Sequence, residues 1–135
     1  MDLNPPLYTA MATACILLLQ IGLMMSVGFT RVKHGQGIGD GGHQDLELRI
    51  RRHANLAENG AIFLLALALL ESIGGNPTAV MILAAGFVVA RVSHAVGLTL
   101  GTGPNAPRFI GAMGTMALGL TTGCTLLYVA GTTAW

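Results

Sequence analysis

The sequence predicts an all-α integral membrane protein, a bundle of four transmembrane helices running up-down-up-down with both termini outside. Three observations predict it. The 135 residues are 53% hydrophobic and only 10% charged, whereas a soluble domain carries about 25% charged residues. Four apolar stretches each reach the ~20 residues needed to cross a hydrocarbon core. Six of the seven Lys and Arg residues lie at or near one set of span ends. A single domain covering residues 1–135 follows from the length.

The four spans run Leu7–Val32, Gln44–Ile73, Thr78–Leu100 and Pro107–Ala134. Backbone polar groups in lipid must pair internally, so each span is a helix. A β-barrel is disfavoured because the runs are continuous and lack a period of two. The first span does not resemble a signal peptide: no Lys or Arg precedes it, and it exceeds a 7–15-residue apolar core. Between the second and third spans, Gly74-Gly75-Asn76-Pro77 is a tight helix-breaking turn. The third connector, GTGPNAPR, is also short. Short links between successive helices give antiparallel neighbours. The Gly-rich HGQGIGDGGHQD, residues 34–45, is the longer exception.

Charge orients the bundle. Arg31, Lys33, Arg49, Arg51, Arg52 and Arg108 lie at the ends joined by the first and third loops. The opposite side offers Asp2, the GGNP turn and the C-terminal GTTAW, with no Lys or Arg. The positive-inside rule puts the long loops in the cytoplasm. The net charge of only +1 says little about partners, because the distribution matters more than the sum; no nucleic-acid partner is expected. Cys15 and Cys124 fall inside apolar spans, without CxxC or metal-ligand spacing, so neither a disulfide nor a metal site is predicted. Gly119 and Gly123 form a GxxxG pair suited to close helix packing.

The candidate site lies in the second span. Arg51, Asn55 and Glu58 stand at i, i+4 and i+7, within about 60° of one another on a helix. Glu47 shares the stripe, Arg52 and Asn59 flank it, and Arg49 and His53 face away. The ladder descends about 10 Å to Glu58, which lies roughly 20 Å from the helix start. A lone charge at that depth costs at least ~2.5–3.5 kcal/mol, so Glu58 must face other helices or water. Arg91 and His94 bring matching polar groups from the third span, and Arg31 closes the first.

Two readings compete. In one, Glu58 pairs with Arg51 or Arg91 to hold the bundle together, although desolvation offsets most of the gain from a buried pair. In the other, the groups line an anion site in a membrane cavity. The excess of cations over one deep carboxylate favours the second. Guanidinium groups bind carboxylates in bidentate fashion, and Glu58 suits an ammonium. The set therefore fits a zwitterionic anion without naming one.

Arg51-x-His53-x-Asn55-x-x-Glu58 resembles the second-helix signature of the MAPEG family (membrane-associated proteins in eicosanoid and glutathione metabolism). ARVSHAVGL, residues 90–98, resembles its third-helix Arg-x-x-His segment, and FTRVKHG, residues 29–35, the basic end of its first helix. The resemblance spans essentially the whole chain and points to a bacterial branch, hence an inner membrane. It implies a homotrimer with glutathione, as substrate or ligand, bound between subunits near the cytoplasmic face. Arg31, Arg51, Asn55, Glu58, Arg91 and His94 match family positions that line or support that site. In active members an arginine near the start of the fourth helix stabilises the glutathione thiolate, since a nearby cation lowers a thiol pKa; Arg108 is the only candidate for it here, in a register against Ala106-Pro107 that departs from the family's.

Two departures stand out: Leu98 replaces a third-helix tyrosine, and RFIGAMGTM lacks the tyrosine or serine often found early in the fourth helix. The implied activity is a glutathione transferase or peroxidase acting on lipophilic electrophiles. Eicosanoid synthesis is not implied. The alternatives are a non-catalytic binding or scaffold protein of the same fold and a small transporter with Glu58 as its proton-coupled carboxylate.

Overall fold

A computed structural model describes residues 5–101 and 103–133. It contains four helices: α1 (Leu7–His34), α2 (Gln44–Ser72), α3 (Pro77–Thr99) and α4 (Ala106–Thr133). All four are long and apolar enough to cross a membrane, and the chain is a multi-pass integral membrane protein. Asp2, Ala134 and Trp135 lie outside the described residues.

Local chemistry sets the helix ends. α1 runs two residues past the apolar stretch and stops at Gly35, whose φ of 64° few other residues adopt. There the Gln36 N–H donates to the Arg31 carbonyl and the Gly35 N–H to the Val32 carbonyl. This is the Schellman arrangement that satisfies the last carbonyls of a helix. Asn76 caps α3 by accepting from the Ala79 N–H at 3.0 Å, with Pro77 at the first helical position. Asn105 does the same for α4, accepting from the Arg108 N–H at 3.0 Å.

α1 packs on α2 and α3, and α4 packs on α3 and α2; among the described residues α1 and α4 do not meet. The core lies where α1, α2 and α3 converge, at Ala12, Ile16, Leu56, Phe63, Leu67, Leu70, Val80, Leu83, Ala84 and Phe87. Phe63 and Phe87 stack at its centre with ring centroids 3.8 Å apart. The outward faces of α1 and α4 are also apolar: Leu17, Leu18, Ile110, Met116, Leu120 and Leu127 are all exposed. In water such a surface would be an aggregation liability; against acyl chains it is the expected exterior.

The α3–α4 contact is the closest helix approach. A Cβ at Gly97 would lie 2.6 Å from the Arg108 Cα, and one at Gly111 would lie 2.6 Å from the His94 Cβ. The GxxxG pair behaves differently from the sequence expectation. A Cβ at Gly119 or Gly123 meets nothing within 4 Å. Those glycines line a groove instead of closing a contact within the bundle.

Candidate functional site

The α2 stripe forms one wall of a cavity of about 370 Å³. Glu47, Leu48, Arg51, Ala54, Asn55 and Glu58 face His94 and Leu98 of α3 and Arg108 of α4. The helical spacing read from sequence is therefore the lining observed. Five of the seven predicted site residues share this cavity: Arg51, Asn55, Glu58, His94 and Arg108.

Arg91 stands behind the wall. It is only 2% exposed. Its guanidinium donates to Asn55 Oδ1 at 2.5 Å and to Thr115 Oγ1 at 3.1 Å. Thr115 in turn donates to the Gly111 carbonyl at 2.8 Å. A polar chain thus ties α2, α3 and α4 together and holds the Asn55 amide. Buried networks of this kind fix side-chain orientation when their members are paired.

Arg31 is turned away from the cavity lining. It donates to the carbonyls of Gln36, Gly37 and Gly39, the last at 2.8 Å. One guanidinium thereby gathers the first half of the Gly-rich loop. The second half returns through stacked His34 and His43 rings, centroids 3.9 Å apart, and a His34–Asp45 contact of 3.0 Å.

The structural ion-pair reading is overturned. Among the described residues Glu58 pairs with neither Arg51 nor Arg91; the ion pairs lie at Lys33–Asp45 and His34–Asp45. Arg51 and Glu58 make no side-chain bond to any described residue, though both face the same cavity. The cavity therefore holds opposite charges that do not neutralise each other.

The flank and far side of α2 tie it to its neighbours. Arg49 donates to Ser26 Oγ on α1, Gln20 reaches the His53 carbonyl, and Arg52 donates to Thr99 Oγ1 at 2.7 Å. A second cavity, of about 280 Å³, adjoins the first through Glu58. It continues between α2 and α4 along Asn59, Ile62, Phe63, Ala66, Thr115, Gly119, Thr122 and Gly123. Sequence reasoning missed this groove and the helper residues Thr115 and Asn105. Asn105 had a readable signal, because an asparagine immediately before an apolar helical run is a helix-start residue.

A polar cavity at one end of a four-helix membrane bundle, with Arg-x-x-x-Asn-x-x-Glu on α2 opposite Arg-x-x-His on α3, is now the geometry to compare. The family model of MAPEG matches residues 9–129. The chain belongs to the MAPEG family. The match reaches into all four helices and is not confined to one motif. No curated protein and no solved structure gives a match.

Proposed function

We propose that this MAPEG protein binds glutathione in the α2–α3–α4 cavity and acts as a glutathione transferase or peroxidase on lipophilic electrophiles. The observation that carries this reading is the pairing left unmade: Arg51 and Glu58 face one cavity without neutralising each other. A zwitterionic tripeptide supplies what they lack. Its carboxylates suit Arg51 and its ammonium suits Glu58. Asn55, held by Arg91, adds an amide at the same wall. Arg108 supplies a cation beside the space for a thiol, which favours the thiolate.

The adjoining groove supports the second half of the reading. It is mostly apolar and starts at Glu58, so a lipophile in it would lie next to bound glutathione. Holding the two together converts an encounter into a positioned reaction. Under this proposal the protein is a single domain of residues 1–135 in a bacterial inner membrane, with long loops cytoplasmic and termini outside. It would assemble as a homotrimer in which Arg31 serves a site shared between subunits.

Leu98 favours a second reading. It lines the cavity with an aliphatic side chain and no hydroxyl, as suits a binding or scaffold protein without turnover.

Calorimetry with glutathione on the detergent-solubilised protein, followed by conjugation assays across a panel of electrophiles, decides between them. Binding, a thiolate absorbance lost in Arg108→Ala, and turnover support the enzyme. Binding without turnover supports the scaffold. No binding rejects both.

A further inference from the structure

We infer that the flank of α1 at the basic end of the bundle binds an anionic phospholipid, its phosphodiester held by Lys33 and Arg49 and one acyl chain laid along α1. The site lies apart from the α2–α3–α4 cavity and does not depend on the glutathione reading.

The observation is a cleft of about 550 Å³ between α1 and the start of α2. Its walls include Gly22, Met25, Ser26, Phe29 and Lys33 of α1 and Arg49 of α2. Gly22, Met25, Phe29 and Lys33 stand three or four residues apart, so they share one flank of the helix. Depth places the two ends of that flank. From its start at Leu7, α1 reaches Ser26 after about 29 Å at 1.5 Å per residue. A hydrocarbon core is ~30 Å thick. Ser26 and Arg49 therefore stand at its boundary, and Lys33 stands among the headgroups. Below them, Met25, Gly22, Leu18 and Cys15 continue the same flank, all exposed. Those residues span about 15 Å, half of the hydrocarbon core. A lipid of one leaflet has this length and this polarity.

The charge at the boundary selects the kind of lipid. Arg49 donates to the Ser26 hydroxyl across the α1–α2 gap, and among the described residues no carboxylate pairs with it. The hydroxyl hydrogen of Ser26 in turn has no acceptor among the described residues. Lys33 is exposed and lies 3.8 Å from Asp45, a carboxylate that also holds His34 at 3.0 Å. One shared carboxylate leaves the cleft with an excess of positive charge. Two cations and a hydroxyl donor are what a phosphodiester accepts from. Basic pockets between membrane helices bind anionic headgroups in this way. Phosphatidylglycerol meets the excess with a net negative charge. Phosphatidylcholine brings its own ammonium, which Lys33 and Arg49 repel. Arg51 lines the other cavity, so the two guanidiniums of neighbouring turns serve different ligands.

The test uses the detergent-solubilised protein in mixed micelles with phosphatidylglycerol or phosphatidylcholine. Native mass spectrometry counts the lipid retained per chain, and thermal unfolding against lipid concentration gives the affinity. Wild type should retain phosphatidylglycerol in preference to phosphatidylcholine. Lys33→Gln and Arg49→Gln should each weaken phosphatidylglycerol binding roughly fivefold, as expected for one cation at a membrane surface. Gly22→Leu keeps both cations, and its Cβ meets nothing within 4 Å. It should weaken binding by filling the apolar floor. If Arg49→Gln does not fold, the exposed Lys33→Gln and the unobstructed Gly22→Leu carry the test. Equal retention of the two lipids overturns the site, as does unchanged phosphatidylglycerol affinity in Lys33→Gln and Gly22→Leu. Lipid displaced by inorganic phosphate, with Gly22→Leu neutral, makes the cleft a site for free phosphate and overturns the lipid assignment. A changed oligomeric state in the variants with an unchanged lipid count makes the flank an interface between copies, and overturns it too.

Discussion

The carboxylate of Glu71 caps the start of α1 at Thr9: Oε2 accepts from the Thr9 N–H at 2.8 Å and from its hydroxyl at 2.7 Å. The other oxygen accepts from the Tyr8 N–H at 2.9 Å. The first N–H groups of a helix have no partner within it, and a carboxylate there also meets the favourable end of the helix dipole. Pro6, just before α1, provides no side-chain cap. Glu71→Ala should destabilise the protein by about 1.5–3 kcal/mol, the value of a hydrogen bond to a charged group. Glu71→Gln should cost less. Thermal unfolding in detergent measures both. Glutathione affinity should not change, because Glu71 lies about 20 Å along α2 from Glu58.

Arg51→Ala and Glu58→Gln should behave in the opposite way. Both residues face the cavity without side-chain partners, so unfolding temperatures should scarcely move. Glutathione affinity should fall tenfold to a hundredfold, as roughly expected on losing a charge-assisted hydrogen bond. Calorimetry gives the affinity. Equal affinity in both variants would remove these residues from the site.

Arg91→Met should affect stability and binding together. It leaves the half-buried Asn55 Oδ1 and Thr115 Oγ1 without their donor, at a cost of about 1–3 kcal/mol in all. Binding should weaken because the Asn55 amide is free to rotate. The double variant Arg91→Met/Asn55→Ala should therefore lose less affinity than the sum of the singles, which a double-mutant cycle reads directly.

The glycines give a contrast within one helix. Gly111→Ala drives a methyl into the α3 backbone and should cost about 1–3 kcal/mol. Gly119→Ala meets open space and should be neutral or stabilising by up to about 1 kcal/mol through helix propensity. Gly119→Leu would fill the α2–α4 groove. It should slow conjugation of a long-chain electrophile and leave glutathione affinity unchanged. Paired unfolding and rate measurements check all three.

Much of the bundle is readable before any coordinates, because lipid makes hydropathy and helix length nearly the same quantity. Leu7 and Gln44 are the starts of α1 and α2 on both counts, and the other ends differ by a residue or two. The stripe of Arg51, Asn55 and Glu58 is equally readable, since it depends only on rotation about one axis. What resists reading is anything that depends on how two axes cross. Counting turns puts Arg91 near the depth of Arg51, yet its partner is Asn55, one turn further along α2, because the placement of α3 against α2 decides which side chains meet. Arg31 is a cation at a helix end, and nothing in its spacing foretells a loop curling back to present three carbonyls. Glu71 looks like an isolated charge at the end of an apolar run until α1 and α2 are placed side by side.

The groove between α2 and α4 opens on the flank of the bundle, with Ile62 exposed at its edge. A compound that enters there is counted per lipid and not per litre. Its effective concentration is its mole fraction in the bilayer, so diluting the protein and substrate with inert lipid at constant total volume should slow the reaction. Adding water should not. Two compounds with the same intrinsic reactivity would then rank by how strongly they partition into the membrane.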